Sequence, residues 1–262
     1  MNRLIFVLCG ALGIQQASAL DCKSEIDKII RSGEPFASQL AEIEQLENHC
    51  SNGEYYTLVK GQLLAKNRQY AESVKLLNSF GEPKVYREEF AILNAKAHIM
   101  LSKNDDAKNI LSRYISSNGR SRKALLLVGQ IASSEEDYDL AIDYFERALS
   151  LGEEPKSLRG LGLAWFAKGD CDKALDSFNS ALQLDEKMYG DLGLMIAASR
   201  CYSESGEFKV SRNILGLLLQ ANPKVEKRKE FLEAIQKLRE DVKHAQTEND
   251  GSTDADQLKV KN

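Results

Sequence analysis

The sequence predicts an all-α fold built as an array of helical hairpins, and three observations carry that prediction. Only four prolines interrupt 262 residues, so long helices are permitted. Period-2 runs of Val, Ile and Thr, which would mark strands, are hard to find. Small residues recur at a nearly fixed interval: Ser73, Ala107, Ala141, Ala174 and Ser211 stand 34, 34, 33 and 37 residues apart, the mark of stacked supersecondary units. A hydrophobic content of 43% suffices for a sizeable core.

Residues 1–19 read as an address. Arg3 gives a positive start, Leu4 to Ile14 are apolar or small, and Ala17-Ser18-Ala19 is a small-x-small cleavage site, the three parts of a secretory signal peptide cut after Ala19. The apolar run is far short of the roughly 20 residues a bilayer span needs, so no transmembrane span is expected in the mature chain. Neither Cys9 nor Cys22 follows the small residues of a lipidation site. The chain carries 35 basic and 39 acidic residues. Loss of Arg3 takes the net charge from -4 to -5, which is not the balance of a nucleic-acid-binding protein. Asn-x-Ser/Thr sequons are absent from the sequence, favouring a bacterial periplasm over a glycosylating route. The expected location is periplasmic or secreted.

Residues 20–53 make a degenerate hairpin. Ile26, Ile29 and Ile30 form one apolar stripe, Ser32-Gly33-Glu34-Pro35 a turn, and Leu40, Ile43 and Leu46 a second stripe before Asn52-Gly53. It is expected to cap the array with an atypical outer face.

Residues 54–225 hold five units with one internal spacing. Gly61, Ala95, Gly129, Gly162 and Ser199 each precede the small residue of the second helix by twelve positions. Four residues after that second small residue stand Leu77, Leu111, Phe145, Phe178 and Leu215. Two helices that cross closely need a residue without bulk at the contact and large residues around it. Pro155 to Met188 is the clearest copy: Leu158, Leu161, Gly162 and Trp165 mark one helix, Gly169 breaks it, and Ala174, Phe178 and Ala181 mark the next. From Lys224 to Gln246 one more helix carries Phe231, Leu232, Ile235, Leu238 and Val242 on one face, and residues 226–246 are assigned as a C-terminal cap. Residues 247–262 lack the composition for a core and are expected to be disordered.

These spacings resemble the tetratricopeptide repeat, a 34-residue hairpin with small residues at its eighth and twentieth positions, an aromatic near its eleventh and Ala at its twenty-seventh. The unit from Arg122 to Glu154, with Gly129, Tyr138, Ala141, Phe145 and Ala148, follows the pattern well. The resemblance covers about two thirds of the chain and implies a right-handed α-solenoid. Lys60 and Asn94 depart from it where the family prefers a large apolar residue, and His98 departs where it prefers Tyr.

Four cysteines remain once Cys9 is removed with the signal, an even number suited to an oxidising compartment. Cys22 and Cys50 fall at one end of the first hairpin, and Cys171 and Cys201 at one end of a later pair of helices. The pairs Cys22 with Cys50 and Cys171 with Cys201 are favoured. The other two pairings, and four reduced cysteines packed as small hydrophobes, stay open at this level.

Catalytic constellations are scarce. The three histidines, His49, His98 and His244, form no HExxH pattern, and CxxC and GxxxxGK runs do not occur. No cofactor, no metal and no enzymatic activity are expected. Gly160-Leu161-Gly162 and Trp165 read as packing residues, and His98 as a core histidine. The family resemblance implies a concave groove lined by first helices. Its positions place Tyr55, Gln62, Lys66, Lys96, Met100, Lys123, Gln130, Lys156, Arg159, Phe166 and Arg200 toward that groove. Six of these are basic, which suits an acidic or carboxylate-terminated protein or peptide. The reading is a non-enzymatic scaffold in the bacterial cell envelope for assembly, secretion or polymer export. Its rivals are a self-assembling structural solenoid and an accessory subunit of an envelope enzyme.

Overall fold

The computed structural model describes residues 22–118 and 120–257. The expected signal peptide lies outside them, as do residues 258–262. Among the described residues there is no strand, and no helix is long and apolar enough to cross a membrane. The chain divides into two compact units, up to Ala124 and from Leu125 onward.

The first unit contains α1 (residues 22–31), α2 (Phe36–Gln45), α3 (Glu47–Cys50), α4 (Glu54–Lys66), α5 (Tyr70–Phe80), α6 (Arg87–Met100), α7 (Asn104–Asn118) and the start of α8 (Arg122–Ser134). The cap forms as the stripes require: Ile26, Leu40 and Ile43 are buried in one cluster with Val59 and Leu63 of α4. The second cap stripe does not run as one helix, because the chain turns at Leu46 before the short α3. Cys50 on α3 is bonded to Cys22 on α1, with Cα atoms 5.7 Å apart. Lys60 breaks the repeat pattern for a local reason. Its ammonium reaches out of a mainly buried position to Glu47 of the cap at 3.4 Å, while its aliphatic stem covers apolar surface.

Glu54, at the first position of α4, fixes the loop that leads into α6. Its carboxylate accepts the backbone N–H groups of Lys84, Val85 and Tyr86 at 2.7, 2.8 and 3.1 Å. Partial burial pushes its pKa up, but the three donors outweigh burial and hold it below the usual glutamate value. A lowered folded-state pKa adds stability above the unfolded pKa, and that stability is lost as pH falls through the folded value. Glu54→Gln is therefore expected to cost about 1 kcal/mol at neutral pH, discounted because the carboxylate stays largely open to solvent. Urea midpoints of the two proteins should converge as the pH drops below the ordinary glutamate range; a gap independent of pH would refute this account.

The second unit holds the rest of α8, then α9 (Tyr138–Ser150), α10 (Pro155–Ala167), α11 (Cys171–Leu184), α12 (Leu192–Glu204), α13 (Phe208–Ala221) and α14 (Lys229–Gln257). Its helices pack through the small residues that the spacing singled out. Ala141, Ala174 and Ser211 are fully buried and Ser199 nearly so. The glycines of α8 and α10 are filled by phenylalanine: a Cβ on Gly129 or Gly160 would stand 2.7 or 2.6 Å from the Phe145 ring, and one on Gly162 would stand 2.5 Å from Phe178. Trp165 is half-buried and packs against both neighbouring clusters. Cys171 at the start of α11 is bonded to Cys201 of α12, with Cα atoms 5.3 Å apart.

The 37-residue interval has a structural cause. A 3-10 helix, Glu186–Gly190, is inserted between α11 and α12, so the extra residues fall between hairpins. At the carboxyl end the helix has other bounds than the apolar stripe alone suggests. The helix expected from Lys224 begins at Lys229, because Pro223 opens a separate 3-10 helix, Pro223–Lys227, and Arg228 is extended. The backbone of α14 then continues to Gln257, through residues expected to be disordered. No proline follows Pro223, so no residue removes a helical N–H where the apolar stripe stops.

Every repeat turns from its first to its second helix through one left-handed residue. These are Arg68, Ser102 and Glu136, with φ near 60°, and Gly169 and Gly206 at φ 81°. Glycine adopts this conformation without steric cost, whereas the other three carry a Cβ there.

Candidate functional site

The residues assigned to a groove lie on the first helices α4, α6, α8, α10 and α12. In the first unit Lys66 and Lys96 are exposed, and Met100 is exposed to 58%. Lys66 Nζ sits 4.5 Å from the centre of the Phe36 ring, and neither lysine has a carboxylate partner among the described residues. Gln62 is half-buried. Tyr55 is committed to the cap: its hydroxyl donates to Asp27, its ring lies 5.6 Å from that of Tyr86, and Lys23 Nζ sits 4.5 Å above it. Burial, aided by the Asp27 carboxylate, pushes the Tyr55 phenol up to about 12. Lys123 is exposed but pairs with Glu88 at 3.7 Å.

In the second unit Lys156 and Gln130 are exposed, and Lys156 has no carboxylate partner among the described residues. Arg159 is taken up by the fold. Its Nε donates to Asp191 Oδ2 at 2.7 Å, while Asp191 Oδ1 accepts the Leu194 N–H and caps α12. Arg200 stacks over Phe166, 5.1 Å from the ring centre, and reaches Glu204 at 3.7 Å. Phe166 is half-buried under it against the core.

The six basic groups thus separate into two kinds. Lys123, Arg159 and Arg200 have carboxylates of their own, whereas Lys66, Lys96 and Lys156 do not. Exposed pairs of the first kind contribute little to stability, but they do neutralise charge that a ligand would otherwise meet. Sequence reasoning missed these partners, along with the Glu54 loop clasp and the bond from Ser121 Oγ to Glu88 Oε1 at 2.6 Å. A signal existed in their spacing: Glu88 to Ser121 and Arg159 to Asp191 are 33 and 32 residues apart, close to one repeat.

Stacked two-helix units that meet through small residues, with polar residues on the open faces of the first helices, define a helical-repeat scaffold. The tetratricopeptide-repeat profile matches residues 92–157 and 135–189, so this stretch of the chain carries tetratricopeptide repeats. Comparison with curated protein sequences gives no match. Among solved structures the chain is similar to MamA, with 22% identity and a TM-score of 0.53 over 65% of this chain and 93% of that one. It is similar to YrrB, described as having an unusual peptide-binding site, with 14% identity and a TM-score of 0.56 over 74% and 97%. It is also similar to a chain in the structure of the APC/C hetero-tetramer Cut9-Hcn1, with 14% identity and a TM-score of 0.66 over 86% of this chain and 46% of that one. At such identities the likeness shows the all-α solenoid fold. That fold is one of protein–protein interaction scaffolds, which bind peptides or proteins.

Proposed function

We propose that this chain is a non-enzymatic scaffold of the bacterial cell envelope, and that the first-helix faces of its repeats hold an acidic or carboxylate-terminated segment of a partner protein. The observation that carries the reading is the exposure of Lys66, Lys96 and Lys156 without carboxylate partners among the described residues. A lysine on a rigid helix face offers its charge without first breaking an internal ion pair, and a preformed helical surface loses little entropy on binding. Met100 beside Lys96 adds adaptable apolar surface. The two cysteine pairs support an oxidising compartment, in keeping with the signal peptide read from residues 1–19. Assembly, secretion or polymer export are the settings in which an exported scaffold of this kind would work.

Fluorescence anisotropy with a fluorescein-labelled oligoglutamate peptide tests the charge preference. Lys66→Glu with Lys96→Glu, and separately Lys156→Glu, should each weaken binding about tenfold, or about 1.4 kcal/mol, and higher salt should weaken the native interaction. Equal affinity in the native protein and both variants would sink the basic-face reading. Arg159 is left intact in this test because its loss would leave Asp191, the capping residue of α12, without its ion pair.

A further inference from the structure

The first unit has a cleft on the side of α6 away from Lys96 and Met100. Residues two apart on a helix point about 200° from each other, so Asn94 and His98 face away from the exposed Lys96 and Met100. Over Asn94 and His98, α5 and α7 form the walls of a cleft of about 900 Å³ with α6 as its floor. That volume is in the range of ligand sites.

Three observations distinguish this cleft from a gap between helices. Asn94 and His98 occupy the positions where the repeat pattern calls for a large apolar residue and Tyr; in the second unit Leu161 and Trp165 stand there. Both residues also hold buried polar atoms without a hydrogen bond. The His98 side chain is only 9% exposed, its Nδ1 makes no hydrogen bond, and the nearest carboxylate oxygen, on Asp106, is 3.5 Å away. Asn94 donates from Nδ2 to Asn78 Oδ1 at 2.8 Å, yet its own Oδ1 accepts nothing. Buried polar atoms of this kind are rare and call for an explanation. Finally, Arg113 on the α7 wall is exposed and has no carboxylate partner among the described residues.

We propose that this cleft is a binding site for an extended peptide segment of a protein partner, distinct from the first-helix faces. Asn78, Asn94 and Asn109 offer side-chain amides, each with a donor and an acceptor that match a peptide main chain. Asn94 Oδ1 and His98 Nδ1 gain the hydrogen bonds they lack, and Arg113 takes an acidic side chain or a terminal carboxylate. Phe90 and Ile110 supply apolar surface for a side chain of the segment. The floor from Arg87 to His98 covers about 16 Å of helix axis, the length of about five residues of extended chain.

The test uses the full mature chain panned against a random peptide display library, followed by anisotropy with synthetic copies of the enriched peptides. Asn94→Leu with His98→Tyr restores the repeat pattern and fills the cleft. It should weaken binding of at least one enriched peptide about tenfold or more without lowering the unfolding midpoint. Arg113→Glu, at an exposed position that should not disturb folding, should weaken the same peptide, and Lys66→Glu with Lys96→Glu should leave it unchanged. The proposal is overturned if no peptide is enriched, or if every enriched peptide binds the cleft-filled protein as well as the native one. Peptides lost only in the lysine variant would belong to the first-helix face and would also count against the cleft. Sedimentation provides a last arm: self-association that the cleft-filled variant abolishes would assign the cleft to a second copy of the chain instead.

Discussion

Replacing Phe178 by alanine is expected to destabilise the second unit by about 3–5 kcal/mol, the largest effect of any single substitution considered. Phe178 is 1% exposed, and its ring lies against Gly162 where a Cβ would have no room. Its removal leaves a cavity between α10 and α11 that the two helices, held apart by their own backbones, cannot fully close. The reverse change, Gly162→Ala, is expected to cost about 1–3 kcal/mol through overpacking. The carbonyl oxygen of Ala174 would stand 3.1 Å from the new methyl group, so a shift of the phenyl ring relieves only part of the clash. Close packing also dictates how the two changes combine. With the ring gone, Gly162→Ala should cost clearly less than in the native protein, and urea denaturation of the four proteins measures that coupling. Simple additivity would show that glycine serves some other purpose there.

The second large effect is expected from the Cys171–Cys201 bond. The cysteines are 30 residues apart, and in the loop-entropy model such a closure is worth about 3–4 kcal/mol. Cys171→Ser with Cys201→Ser should lower the urea midpoint by a corresponding amount, and a dithiol reductant should then act only through Cys22–Cys50. An unfolding midpoint that is the same with and without reductant in the native protein would refute a structural role for both bonds.

The sequence made the packing of this fold legible because packing is periodic. Gly162, Ala174 and Phe178 could be assigned to a helix contact from spacing alone, since every repeat needs a small residue opposite a large one. Polar partners obey no such rule. Arg159 had the spacing of a groove residue, and only the fold brings Asp191 within 2.7 Å of it. Tyr55 was likewise legible as a first-helix residue but not as the one that ties α4 to Asp27. The breaks in the pattern were visible, yet their meaning was not: Lys60 turned out to serve the cap, whereas Asn94 and His98 open a cleft. Helix ends proved the least legible feature. The 3-10 helix at Pro223 and the continuation of α14 depend on backbone geometry that hydropathy does not record.

The polar clasps between neighbouring elements have a kinetic consequence. The Tyr55–Asp27, Glu54–Lys84, Arg159–Asp191, Glu88–Ser121 and Ser203–Asp241 bonds join residues 28 to 38 positions apart, and the two disulfides join residues 28 and 30 apart. Each hairpin therefore finds the partners it needs within about one repeat of chain. A polypeptide emerging from its point of synthesis meets those partners in order, and low contact order of this kind favours rapid folding. Hairpins can add to those already formed while the rest of the chain is still arriving.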